Sequence, residues 1–122
     1  MRETWVRIAV YNSILKDPEP HAAYVAYTTQ HVIRLLARCP GYKNGYWAED
    51  PDGRRKAAIT FWDSREAIEA ATATLELFHR ERHQLGVRLE SESNFKLLPV
   101  NTGVTAWLEH AHAVGTRLRR EQ

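Results

Sequence analysis

Apolar residues alternate from Trp5 to Ser13, with Val6, Ile8 and Val10 on one face and Trp5, Ala9 and Tyr11 on the other, which predicts a strand. Because both faces are apolar, the strand is expected at the centre of its sheet, covered on both sides. Asp17, Pro18, Glu19 and Pro20 have the composition of a helix start, where proline fits the first turn and acidic groups meet the positive end of the dipole. The helix should run to about Arg38 on a stripe of Ala22, Val25, Thr29, Val32, Ile33 and Leu36, and Pro40-Gly41 should close it.

Residues 42–49 and 55–62 form the next pattern, two extended runs joined at Asp50-Pro51-Asp52-Gly53. Proline presets that turn and glycine supplies its positive φ, so a hairpin is predicted. Gly45 in the first arm signals a bulge or a close backbone approach. Asp63 and Ser64 suit an N-cap, and Asp63 with Glu66 has capping-box spacing, so a second helix is expected immediately after Trp62 and on to about Gln84. A last strand is expected within 87–100, best in "NFKLLPV". Residues 104–118 carry an amphipathic stripe that includes Val104, Trp107, Leu108 and Leu118.

Strand, helix, strand, strand, helix, strand is the βαββαβ order of the α+β, ferredoxin-like fold with an antiparallel four-stranded sheet. Both helices then lie on one face of that sheet. Trp5, Ala9 and Tyr11 are expected on the uncovered face, with a second copy of the chain as the simplest cover. One domain over residues 1–100 with a helical appendage over 101–122 accounts for the chain.

Composition narrows the function. Seventeen basic and fifteen acidic residues are interspersed to give a net charge of +2, which is no nucleic-acid signature. No stretch reaches the ~20 apolar residues of a membrane span and the first residues hold no apolar signal core, so a cytoplasmic location is expected. The single cysteine, Cys39, agrees with a reducing compartment. Phosphate loops, Cys-x-x-Cys pairs and Gly-x-Ser-x-Gly elbows are all missing from the sequence.

The segments "RIAVY", "CPGYKNGYWA" and "ITFWDSREAIEA" resemble the dimeric α+β barrel superfamily, in particular the antibiotic biosynthesis monooxygenase-like proteins, over about residues 5–100. The resemblance implies a homodimer with a pocket between sheet and helices in each subunit, and a small aromatic or polyketide-like substrate. It further implies cofactor-independent oxygenation: the site desolvates the substrate and helps remove a proton, and the carbanion reduces oxygen directly. Trp62 matches the tryptophan that such enzymes place between strand and helix. Ala58 and Ile68 stand where they place an asparagine and a tyrosine.

Trp62, His79 and Asn12 are accordingly the expected catalytic residues, with Tyr24, Tyr27, Trp47, Ile68 and Phe78 as substrate contacts and no cofactor or metal. At Trp62 the alternative is plain packing of the seam. A non-catalytic ligand-binding or interaction dimer is the other class of function. Haem degradation also occurs on this barrel, but the residues aligned with its functional set are about Val6, Ala71 and Glu81. His79 and His83 share a helix face at i and i+4, a weak metal motif without a third ligand. Glu90 and Glu92 would share a face if extended, although a solvated edge is the simpler reading.

Overall fold

The computed structural model describes residues 3–13 and 18–98; the expected helix over 104–118 lies outside them. The elements are β1 (Trp5–Ser13), α1 (Pro18–Tyr27), a π-helical turn (Thr28–Val32), α2 (Ile33–Ala37), β2 (Tyr42–Glu49), β3 (Arg55–Trp62), α3 (Arg65–Ala70), α4 (Thr72–Gln84) and β4 (Val87–Lys96). The strands form one antiparallel four-stranded sheet in the order β2-β3-β1-β4, the ferredoxin-like topology. The hairpin closes where expected: the Gly53 N–H donates to the Asp50 carbonyl at 2.9 Å, with Gly53 at φ +73°.

Both helical stretches are less regular than expected. The first passes through the π-helical turn, and the second breaks at Ala71 into α3 and α4. Ser64 alone caps α3, its Oγ accepting from the Ala67 N–H at 3.1 Å, and the Asp63–Glu66 box does not form. β4 starts at Val87, earlier than the "NFKLLPV" stretch suggests. It is an edge strand, exposed beyond Val87, so its residues carry little of the apolar signal that marks a strand.

The assignment of the faces of β1 is corrected by the structure. Ala9 and Tyr11 are buried at 0% and 1% exposure and pack with Tyr24, Ala58 and Val87 beneath the helices, and Trp5 packs against the main core, whereas Val6, Ile8 and Val10 lie on the opposite face. The physical reason is polar. Arg7 and Tyr11 share the covered face with Ala9; the Tyr11 hydroxyl finds its partners in His79 and Arg82 on α4, and Arg7 pairs with Glu92 on β4. Aliphatic residues alone need no such partners, so alternation did not reveal which side the helices would take.

The main core joins Val32, Leu36, Trp62, Ile68, Ala71, Leu75 and Phe78. Truncating a side chain as enclosed as Trp62 typically costs about 3–5 kcal/mol. Gly41 fastens the end of the first helical stretch to α3: it lies at φ +84°, its carbonyl accepts from the Asp63 N–H at 2.8 Å, and a Cβ there would lie 2.6 Å from the Ala67 Cβ. Gly41→Ala should therefore destabilise the fold by more than about 1 kcal/mol. The check is a lower urea midpoint with an unchanged m value.

Candidate functional site

A cavity of about 330 Å³ opens between α1, the π-helical turn and the β2–β3 edge. Tyr24, Trp47, Val25 and Ile33 give it aromatic and aliphatic walls. Its polar groups are unusual for an interior. Lys56, only 4% exposed, places its Nζ 2.8 Å from Glu49 Oε2 and 5.0 Å from the centre of the Tyr24 ring. Thr28 Oγ1 and Trp47 Nε1 are buried without a hydrogen-bond partner among the described residues. Such groups are costly to strand inside a protein, and here they belong to residues that line the cavity.

The local backbone explains this placement. π-Helical turns are rare and recur at functional sites. This one begins at Thr28, and its second threonine, Thr29, instead bonds the Val25 carbonyl at 3.0 Å. Trp47 lies against Gly45, where a Cβ would be 2.8 Å from the indole, and the β2–β3 register shifts nearby between Tyr42 and Asn44. At the mouth, the hydrogen bond from Lys56 holds the Glu49 carboxyl below its usual range, and His21 Nε2 stands 3.7 Å from Glu49 Oε1.

A second polar cluster lies where α4 crosses β1 and β4. Arg82 NH1 donates to the Tyr11 hydroxyl at 3.0 Å, and that hydroxyl lies 3.0 Å from His79 Nδ1. His79 Nε2 is 3.0 Å from Glu92 Oε2, which also pairs with Arg7. Arginines only donate and a carboxylate only accepts, so with Tyr11 O–H donating to Nδ1 and Nε2–H donating to Glu92, the 3.1 Å approach of Arg7 NH2 to Nε2 is a contact between two donors that share the Glu92 oxygen. Burial lowers the His79 pKa, as does nearby Arg7, against the opposing hydrogen bond to Glu92. Burial also works against the Glu92 charge, but Arg7 and His79 outweigh it and hold that carboxyl low.

The residues expected from sequence do not converge. Tyr24 and Trp47 line the aromatic cavity. His79 sits in the second cluster, while exposed Asn12 is on the opposite face of β1. Trp62 is fully buried, its indole N–H donating to Thr60 Oγ1 at 2.9 Å and its ring edge-on to Tyr42, and Ile68 and Phe78 are core residues beside it. The Tyr27 hydroxyl donates to Glu81 at 3.1 Å, and burial pushes its phenol pKa up. His83 is exposed and apart from these contacts, and no group of three metal-ligating side chains occurs among the described residues. Glu90 and Glu92 are separated by a register shift in β4: Glu90 pairs with Arg55 at 3.3 Å, Glu92 with Arg7.

Sequence reasoning passed over Lys56, Thr28, Arg7 and Arg82. Only the regular spacing of Lys56 with Ala58, Thr60 and Trp62 on one strand face hinted that a charged residue would be covered.

The chain has the fold of the antibiotic biosynthesis monooxygenase-type ferredoxin-like proteins. A monooxygenase from Streptomyces coelicolor, ActVA-Orf6, solved in complex with nanaomycin D, is similar with a TM-score of 0.62 at 15% identity, over 84% of this chain and 93% of that one. SnoaB, a cofactor-independent oxygenase from Streptomyces nogalater, gives a TM-score of 0.62 at 16% identity, over 83% and 99%. A dimeric ferredoxin-like protein from an uncultured marine organism gives 0.60 at 15%, over 81% and 99%. No protein-family model and no curated protein matches the sequence. Among the described residues no helix is long and apolar enough to cross a membrane.

The lowered His79 pKa fixes a pH dependence. The unfolded chain takes up this proton near the ordinary value of 6.5 and the folded chain only below it. The stability from neutral His79 is thus complete above 6.5 and is lost as pH falls from there through the folded value. Urea midpoints should fall on acidification from pH 6.5, an NMR titration should place His79 below that value, and His79→Leu should flatten this part of the profile. The Glu92 contribution is lost only below its ordinary 4.5.

Proposed function

We propose that this protein is a cofactor-independent oxygenase of an electron-rich, polyketide-like phenol or anthrone, working in the aromatic cavity beside Lys56. The observation that carries the reading is a buried ammonium between aromatic walls, with the unpartnered Thr28 Oγ1 and Trp47 Nε1 on residues that line the same volume. Lys56 stabilises the phenolate, the two donors orient it, and dry walls strengthen both effects. Glu49 and His21 at the mouth pass the released proton to solvent. The carbanion gives an electron to dioxygen and the radical pair combines to a peroxide. Loss of water then turns the CH₂ of an anthrone into C=O, one oxygen atom staying in the product and the other leaving as water.

Tyr24 and Trp47 are the substrate contacts in this reading, and Trp62, Ile68 and Phe78 support the wall from the core. The protein acts as a homodimer joined through the open sheet face. Val6, Ile8 and Val10 there stand opposite Phe61, Ile59 and Ala57, with Tyr46 60% and Phe95 50% exposed around them. A face of that kind is favourable to cover.

With an anthrone as probe and no flavin or metal added, oxygen uptake should be saturable. Lys56→Met should lower kcat by about 10²-fold or more, as removal of an oxyanion donor does. Anthrone binding without oxygen uptake would replace the oxygenase with a ligand-binding dimer. The native mass should be twice the 14.1 kDa of the chain, and Ile59→Asp should halve it.

A further inference from the structure

A second cavity, of about 270 Å³, lies between α3, α4 and the edge of β4, apart from the aromatic one. Arg7 and His79 form its inner wall, and neither is absorbed by the reaction proposed above. Arg7 is 5% exposed, and its only carboxylate partner among the described residues is Glu92. The Arg7 guanidinium and His79 Nε2 converge on one atom, Glu92 Oε2. Two donors aimed at a single carboxylate oxygen are a receptor for a carboxylate.

Glu92 is a loosely held occupant of that receptor. It comes from an edge strand and its side chain is 49% exposed, so it can turn to solvent without disturbing the sheet. Arg7 and Arg82 are both buried, Arg82 makes no ion pair among the described residues, and its Nε is buried without a partner. With His79 neutral, Glu92 and the wall carboxylate of Glu76 stand against the two positive charges, so the preference for a carboxylate rests on the two converging donors and not on net charge. Behind the receptor, Arg82 and Tyr11 hold the imidazole with Nε2–H facing the cavity. Thr72 and Asn94 add polar groups to the wall, while Ile68 and Leu75 give it an apolar floor.

We propose that this cavity is a binding site for a small aliphatic carboxylate, whose head displaces Glu92 from Arg7 and His79 and whose tail lies on Ile68 and Leu75. Glu92 is then a built-in competitor that lowers the affinity in proportion to its occupancy. The site is independent of the oxygenase reading and stands if that reading fails.

The test is a titration of the full chain with butyrate, followed by calorimetry and by the ¹⁵N shifts of the His79 ring. The expected result is saturable binding that moves the His79 signals. Glu92→Gln, which keeps the shape and removes the competing charge, should tighten it about tenfold. Arg7→Met should abolish binding, and His79→Leu gives the same reading should the arginine variant fail to fold. Lys56→Met should leave butyrate affinity unchanged. The proposal is overturned by absence of saturable binding, by unchanged or weaker affinity in Glu92→Gln, or by loss of binding in Lys56→Met, which would put the ligand in the aromatic cavity.

Discussion

A cation on the covered face of a sheet must keep a counter-charge, and this molecule meets that constraint the same way at both edges. Lys56 on β3 is 4% exposed and takes its carboxylate from Glu49 on edge strand β2; Arg7 on β1 is 5% exposed and takes its own from Glu92 on edge strand β4. The cations are enclosed by the helices, while the carboxylates remain 44% and 49% exposed. An ion pair buried at both ends would suffer the full desolvation of two charges. Leaving the carboxylate half in water reduces that penalty and keeps one partner free to move. The cavities lie beside these two pairs.

Tyr11 ties the second pair to the helical layer. Its hydroxyl joins Arg82 and His79 on α4 to β1, and the Arg82 guanidinium lies 4.7 Å above its ring. This contact decides which face of β1 the helices cover. It leaves Val6, Ile8 and Val10 outward, and so it also fixes the surface through which a second copy can close the sheet.

Much of the fold was legible because its signals are local. A turn needing a positive φ at Gly53, a serine cap at Ser64 and a glycine stop at Gly41 each act within a few residues. What failed depended on distant partners. The choice of face at β1 rests on groups 68 and 71 positions away, and β4 is identified by its pairing with β1 more than by its own polar sequence. The shift in β4 that separates Glu90 from Glu92 is likewise a property of the pair of strands.

The candidate site was legible only in its aromatic part. Tyr24 and Trp47 stand out by type, and His79 by its chemistry, whereas Lys56, Arg7 and Arg82 look in sequence like the solvated residues that most lysines and arginines are. The enclosure of Lys56 and Arg7 follows from strand parity: a charged residue spaced two from Ala58 or Ala9 must face where the alanine faces, and a residue as small as alanine there lets a helix approach. The same parity puts Trp62 on the covered face, at the end where α2 and α3 meet the sheet. There its indole N–H is taken by Thr60 and its ring by Tyr42, so the residue that most resembles an oxygenase tryptophan holds the layers together. Lys56 lies six residues back along the same strand face, where the helical layer gives way to the π-helical turn and leaves room for a cavity.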